Sequence, residues 1–284
     1  MHERNPRSMR VYKANSVTEA SYDLTVAEHR LLMSCFAQIG KNATDKRLYR
    51  VYARDIAEMA NISYPIAYRD TAKATDKLYE RSIEVFDGPN GSSAPVKRKF
   101  RWIQEAIYSE GDGYVDVRLS TSILPYVNNL LEQYTVYNLQ DISRMTSRYA
   151  IRIYELLVQW RKRGHRTVDI EWLKKILCIE GKYSKFKDLR VRVIEIAVSQ
   201  INECSPISVS WNAVKTGRKV THIEFNFSDS SLRIDNKKVM HKKLDNSKNH
   251  ALFGIPASTI EKRAQPGESY EDAALRILQE NKNS

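Results

Sequence analysis

Apolar side chains recur at helical spacing in two stretches, 24–39 (LTVAEHRLLMSCFAQI) and 147–164 (SRYAIRIYELLVQWRKRG), and each predicts an amphipathic helix. Leu31, Leu32, Cys35, Phe36 and Ile39 form the first stripe; Ala150, Ile153, Tyr154, Leu157 and Trp160 form the second. The aromatic members are expected in a core. The basic end of the second stretch, Arg161, Lys162 and Arg163, suits a helix C-terminus, where cations offset the dipole.

The segment after each helix recurs at an offset of about 120 residues. In the first copy, 54–60 (RDIAEMA) has helical spacing at Ile56, Met59 and Ala60. Asn61, Ile62 and Ser63 make a turn, and a second helix runs to Glu80, with Ser63 as its N-cap and Pro65 in its first turn. In the second copy, 171–177 (EWLKKIL) is the short helix, 178–183 the turn and 184–202 the longer helix, with Ser184 as the matching cap. LYERSIEVF (78–86) then lines up with INECSPISVSW (201–211), each closing a helix and opening an alternating strand. Hairpins with basic tips are expected over 88–103 and 214–227.

A helix-turn-helix followed by such a hairpin is a winged helix. The predicted fold class is α+β, with two tandem winged-helix domains. The segmentation expected is an N-terminal arm (1–23), a first domain (24–134), a second domain (135–228) and a flexible tail with a short helix at 270–278 (229–284). Residues 121–134 read as one more helix, with Leu124, Val127, Leu130 and Leu131 on its apolar face, bracing the two domains.

Charge narrows the partner. The 284 residues carry 46 Lys and Arg against 34 Asp and Glu, a formal net charge of +12. Sixteen of those cations and only seven of the acids fall within 147–220, so the excess sits on the second copy. Basic charge so concentrated attracts a polyanion such as nucleic acid.

The second helix of a helix-turn-helix reads base edges in the major groove. On the helix 184–202, Phe186, Leu189, Val193, Ala197 and Ile201 share a face that must meet a core. The opposite side then presents Lys185, Lys187, Asp188 and Arg192, with Arg190 at the flank. Lys and Arg donate to guanine or to phosphate, whereas Asp188 accepts from cytosine or orients an arginine. The first copy offers fewer charges: Tyr64, Arg69, Lys73 and Lys77. At the hairpin tips, Lys97, Arg98 and Lys99, and likewise Lys215, Arg218 and Lys219, suit phosphates and minor-groove edges.

Other chemistries lack their residues. Cys35, Cys178 and Cys204 match neither a disulfide framework nor paired metal-ligand spacing. No two of the six histidines have the His-hydrophobe-His spacing of a nicking enzyme's metal site, and Tyr149 and Tyr154 read as core rather than as nucleophiles. Gly40-Lys41 and Gly181-Lys182 lack the earlier glycine of a phosphate-cradling loop. No enzyme, cofactor or metal is expected. No apolar run is long enough for a membrane span, and the opening MHERNPRSMRVYK lacks a secretory signal's apolar run, so a cytoplasmic protein with no membrane partner is expected.

Five segments, LTVAEHRLLMSCFAQI, RDIAEMANISYPIAYRDTAKATDKLYERSI, RWIQEAIYSEGDGYVDVRLSTSILPYV, SRYAIRIYELLVQWRKRG and KFKDLRVRVIEIAVSQINECSPISVSWNAVKTGRKVTHIEFNF, resemble in order those of the initiator Rep proteins of iteron plasmids. QPGESYEDAALRIL, from Gln265, is similar to the C-termini of that family. The resemblance implies a plasmid-encoded bacterial protein that binds the double-stranded DNA of origin iterons as a monomer, opens the adjacent DNA and recruits a host initiator and the replicative helicase. It also implies a homodimer, in equilibrium with the monomer, that represses its own promoter through an inverted-repeat operator, with the first domain as dimer interface. If that domain repacks on release of its partner, dilution or a chaperone favours the monomer. By the same resemblance Lys185, Lys187, Asp188, Arg190 and Arg192 match the principal reading helix. Val191 stands where many relatives are basic, which leaves the base preference open. A winged-helix transcriptional regulator without origin function is the alternative reading.

Overall fold

The computed structural model describes residues 9–40, 44, 46–86, 96–108, 111–128, 130, 133–231, 255, 257–264 and 270–282. From Arg10 the chain is already part of the fold, where an arm was expected through residue 23. Strand β1 (Arg10–Ala14) buries Val11, Lys13 and Ala14 and runs into a single helical turn, α1 (Asn15–Thr18). Helix α2 (Val26–Phe36) starts at a reciprocal cap: the Thr25 side chain accepts from the Glu28 N–H, and the Glu28 carboxylate accepts from the Thr25 N–H. The predicted stripe is buried at Leu31, Leu32, Cys35 and Phe36.

Strand β2 (Leu48–Tyr52) leads directly into α3 (Ala53–Ala60) and α4 (Tyr64–Glu80). Ser63 holds the N-cap position of α4 with Pro65 just inside, although its side chain makes no capping bond. Four strands come next: β3 (Ser82–Val85), β4 (Arg98–Arg101), β5 (Ile103–Tyr108) and β6 (Tyr114–Leu119). Among the described residues of 121–134 there is no α-helix. One 3-10 turn, Leu124–Tyr126, takes its place, and β7 (Tyr134–Asn138) begins where the helix was to end. The alternation of β7 finds a partner in β1, register Arg10↔Asn138 to Ala14↔Tyr134, so the chain is already extended at Tyr134, the last residue of the expected helix. Val127 is buried even so, and Leu124 and Leu130 pack on the core; Leu131 lies outside the described residues.

The second half runs α5 (Leu139–Ser143), α6 (Arg148–Val158), β8 (His165–Asp169), α7 (Ile170–Ile176), α8 (Phe186–Leu189), α9 (Glu195–Cys204), β9 (Ile207–Thr216) and β10 (Lys219–Asp229). Ser184 is not the cap of the reading helix. Lys185 occupies that position, with no side-chain bond to the first turn. Arg161, Lys162 and Arg163 fall in the turn beyond α6, where Arg161 pairs with buried Asp229 and Arg163 lies over the Trp160 ring.

The internal repeat is real in three dimensions. Two three-stranded antiparallel sheets have orders β2-β6-β5 and β8-β10-β9. Each first strand runs into a short helix that ends in a left-handed residue, Asn61 at φ 54° in one and Cys178 at φ 53° in the other. Asparagine tolerates that conformation, whereas a cysteine there is uncommon. The equivalence corrects the expected wing of the first module. In sheet order β5–β6 corresponds to β9–β10, so β3–β4, which carries Lys97, Arg98 and Lys99, is a separate two-stranded hairpin inserted after α4. Sequence order misassigns it because β3 comes directly after α4, as β9 does after α9, and only pairing distinguishes them. Of the hairpin expected over 88–103, residues 88–95 lie outside the described residues.

The two modules share a buried polar centre. Glu155 of α6 accepts from Tyr137 at 2.7 Å and from Tyr22 at 3.3 Å, and it pairs with Lys13 at 2.6 Å and Arg152 at 2.9 Å. Arg152 also donates to the carbonyls of Thr18 and Ala20 and lies over the Tyr22 ring. Burial would raise the Glu155 carboxyl, but Lys13 and Arg152 outweigh it and hold it down at about 2. Arg166 of β8 reaches Glu19 at 2.7 Å, and Arg148 pairs with Asp23. Residues 13–23 are thus bonded to α6 and β8, and α6 packs against α9.

Residues 230–284 form a second unit. In it, helices Ala257–Arg263 and Tyr270–Lys282 bury Ile260, Ala273, Ala274 and Ile277, and Glu280 bonds to Arg263 and Arg276.

Candidate nucleic-acid interface

The reading helix of the second module is not one regular helix. After Leu189, α8 passes into a π turn over Arg190–Ile194, where the Glu195 N–H donates to the Arg190 carbonyl five residues back, and then continues as α9. The wider turn lets Val193 and Ile194 both reach the core beside Leu189, Ala197 and Ile201. It also aligns side chains five apart: Arg190 Nε lies 3.3 Å from Glu195 Oε1.

Lys185, Lys187 and Arg192 are exposed on the outer side, and Asp188 is half-exposed. Among the described residues these three cations have no carboxylate partner, whereas Arg190 is occupied by Glu195. Arg192 and Arg148 both bear on the Tyr183 hydroxyl, whose pKa burial and Tyr149 nevertheless raise.

Three contacts hold the helix in place. Gln200 accepts from the N–H groups of Thr146 and Ser147 at 3.0 and 2.9 Å, anchoring α9 to the start of α6. Asn202 exchanges two hydrogen bonds with the Val209 backbone, at 3.0 and 2.7 Å, and so fixes α9 to β9. Phe186 meets Trp211 of β9 edge-on at 6.3 Å, tying the start of the helix to the base of the wing. None of these polar anchors was singled out from sequence, because Gln and Asn at partly exposed helical positions carry no periodic signal.

The wing is the β9–β10 hairpin, closed by a two-residue turn, Gly217-Arg218, between paired Thr216 and Lys219. Gly217 has φ 63°, which explains glycine at the first turn position. Lys215, Arg218 and Lys219 are exposed there, without carboxylate partners among the described residues.

The first module presents less. Arg69 is bonded to its neighbour Asp70 at 2.9 Å, while Lys73 and Lys77 are exposed. Tyr64 is part of a brace: its hydroxyl rests on Gly113, where an added Cβ would stand 2.5 Å away, and its ring leads through Tyr68 to Tyr108. Lys97 and Lys99 lie 2.9 and 3.8 Å from Glu84, and the Lys97 bond holds the Glu84 carboxyl below its usual range. Arg98 is exposed on the same hairpin. The second-module candidates lie on the reading helix and on the hairpin whose base it contacts through Phe186 and Trp211, whereas those of the first are divided between α4 and an inserted hairpin.

Among the described residues no group of three or more His, Cys, Asp or Glu could hold a metal ion, and no helix is long and apolar enough to cross a membrane.

The profile of the family described as Initiator Replication protein, WH1, matches residues 10–158, and that of Initiator Rep protein, WH2, matches residues 169–227. The chain belongs to the initiator Rep protein family. Within that family, a replication initiation protein of Escherichia coli is 30% identical over 205 residues, spanning 69% of this chain and 62% of that protein. The chain therefore aligns with less than two thirds of that relative's length. The PI protein of Escherichia coli is 23% identical over 254 residues, spanning 78% and 83% of the two chains. The fold is also that of a Pi initiator protein solved in complex with iteron DNA, with a TM-score of 0.67, 20% identity and coverage of 79% of this chain and 98% of that one. Helix α6 falls within the first family match although it packs against α9 of the second.

Proposed function

We propose that this protein is a plasmid replication initiator that binds the repeated sequences of its origin. The second module is the main reader and the first supplies further DNA contact and a dimer interface. The observation that carries the reading is the set of exposed cations on the reading helix and on the wing it contacts in the second module. Lys185, Lys187 and Arg192 on the reading helix, and Lys215, Arg218 and Lys219 on its wing, have no carboxylate partner among the described residues, and Phe186 and Trp211 connect the two elements. A helix with such a face enters the major groove while the wing tracks the backbone. Membership of the initiator Rep family supports the origin as the target.

On this reading the monomer occupies direct repeats, favours opening of the adjacent duplex, and is joined by a host initiator and the replicative helicase. A dimer represses the protein's own promoter at an inverted repeat. The protein contributes binding energy rather than bond chemistry.

Footprinting of the purified protein on the DNA flanking its gene tests the proposal. Direct repeats protected at helical-turn spacing are expected, together with autonomous replication when that DNA and the gene are placed in a vector lacking an origin. Protection confined to one inverted repeat, with no replication, would overturn it in favour of a transcriptional regulator.

A further inference from the structure

Val191 breaks the pattern of the reading helix. Its neighbours on the outer side are Lys187, Asp188 and Arg192, yet Val191 is apolar and 43% exposed. It belongs to the π turn, which by its five-residue spacing places Ile196, 41% exposed, one turn further on. An exposed β-branched side chain among charged neighbours, Lys187 and Arg192 beside Asp188, gains nothing from water. The surrounding charge suits a polyanion and disfavours an ordinary apolar protein surface. In the major groove the apolar group on a base edge is the C5 methyl of thymine. A valine suits that contact: its χ1 is stiff, so little side-chain freedom is lost when its methyl groups are packed.

We propose that Val191 is a specificity-determining residue that packs on the C5 methyl of a thymine in the recognised DNA. The assignment rests on the proposed reading of this helix as the base-contacting element. It divides the work along the helix: Arg192 and Lys187 supply hydrogen bonds and charge, Arg190 is retained by Glu195, and Val191 reads shape. The π turn acts as a positioning device by widening the helix at the residue that must reach the methyl group.

The experiment uses the full chain and a duplex bearing one protected repeat, in which each thymine is replaced in turn by uracil. That change removes the methyl group and leaves every hydrogen-bonding edge intact. Loss of one buried methyl contact predicts that a single replacement weakens binding about fourfold. Val191→Ala is expected to bind the unmodified repeat more weakly and to be indifferent to that same replacement, while Arg192→Ala keeps the thymine preference. The proposal is overturned if no uracil replacement weakens the unaltered protein, or if Val191→Ala retains the full penalty. Failure of the broader reading is separable, because the unaltered protein would then show no preference for the repeat over a scrambled duplex, and this assignment would fall with it.

Discussion

Lys13 Nζ lies 2.6 Å from Glu155 Oε1, and neither side chain has any solvent exposure. The pair joins the first strand of the fold to the helix that supports the reading helix, across 142 positions of sequence. Removing one member strands the other without water. Glu155→Gln is expected to destabilise the protein by about 3–5 kcal/mol, whereas Lys13→Met with Glu155→Gln should cost less than Lys13→Met and Glu155→Gln added together. Urea unfolding of these variants measures this. Additive losses would show that the two residues do not act as a unit.

His29 sits beside that centre, fully buried, with Nδ1 3.0 Å from the Thr25 carbonyl and Nε2 without a partner among the described residues. Burial lowers its pKa to about 4. A group whose pKa is depressed in the folded state contributes stability above its unfolded pKa and loses it as pH falls through the folded value. Stability should therefore drop between roughly pH 6.5 and 4, by up to about 3 kcal/mol from His29 alone. Glu155, held at about 2, adds its own loss at lower pH. Urea midpoints at pH 7 and pH 5 provide the check: His29→Gln should flatten the difference, and an unchanged difference would assign it elsewhere.

Much of this protein was legible because much of it is local. The stripes of α2 and α6, the short helices α3 and α7, and the cap position at Ser63 are all dictated by neighbours within a few residues. The features that escaped depend on remote partners. β1 and β7 pair across more than 100 positions, so no local signal marks Tyr134 as the start of a strand rather than the end of a helix. The alternation at β3 and β5 is equally strand-like, and only the sheet order shows which strand stands in the place of β9. Lys13, Arg152 and Glu155 look like surface residues in a sequence, since charges are seldom buried unless paired, and their pairing is not encoded nearby. On the reading helix, the core face was plain from its spacing. The i,i+5 pairing of Arg190 with Glu195 was not, because an α-helical wheel places those residues apart.

That pairing separates the two arginines of the reading helix. Arg192 is exposed with no carboxylate partner among the described residues, whereas Arg190 is ion-paired with Glu195 at 3.3 Å. Arg192→Ala is expected to cost about 1–3 kcal/mol of binding to the recognised repeat and little on scrambled DNA if it meets a base edge. Arg190→Ala should cost less, and Glu195→Ala should strengthen non-specific binding by releasing the guanidinium. Fluorescence anisotropy with both duplexes distinguishes the residues; a larger loss for Arg190→Ala would mean that its ion pair opens on DNA.

The two basic hairpins make the last contrast. Lys215, Arg218 and Lys219 on the true wing have no carboxylate partner among the described residues, but Lys97 and Lys99 are held by Glu84 on the inserted hairpin. A cation that neutralises a phosphate releases condensed counterions, so its loss lowers the slope of log affinity against log salt by about one. Replacing the three wing residues with Ala should reduce that slope by about three, nearly evenly for specific and scrambled DNA. Replacing Lys97 and Lys99 should change it less, because the single negative charge of Glu84 offsets part of the charge that the two lysines present to DNA. Titrations over a range of salt concentrations measure both slopes. If the Lys97 and Lys99 variant lost as much slope as the wing variant, the inserted hairpin would be a DNA contact in its own right, with Glu84 displaced on binding.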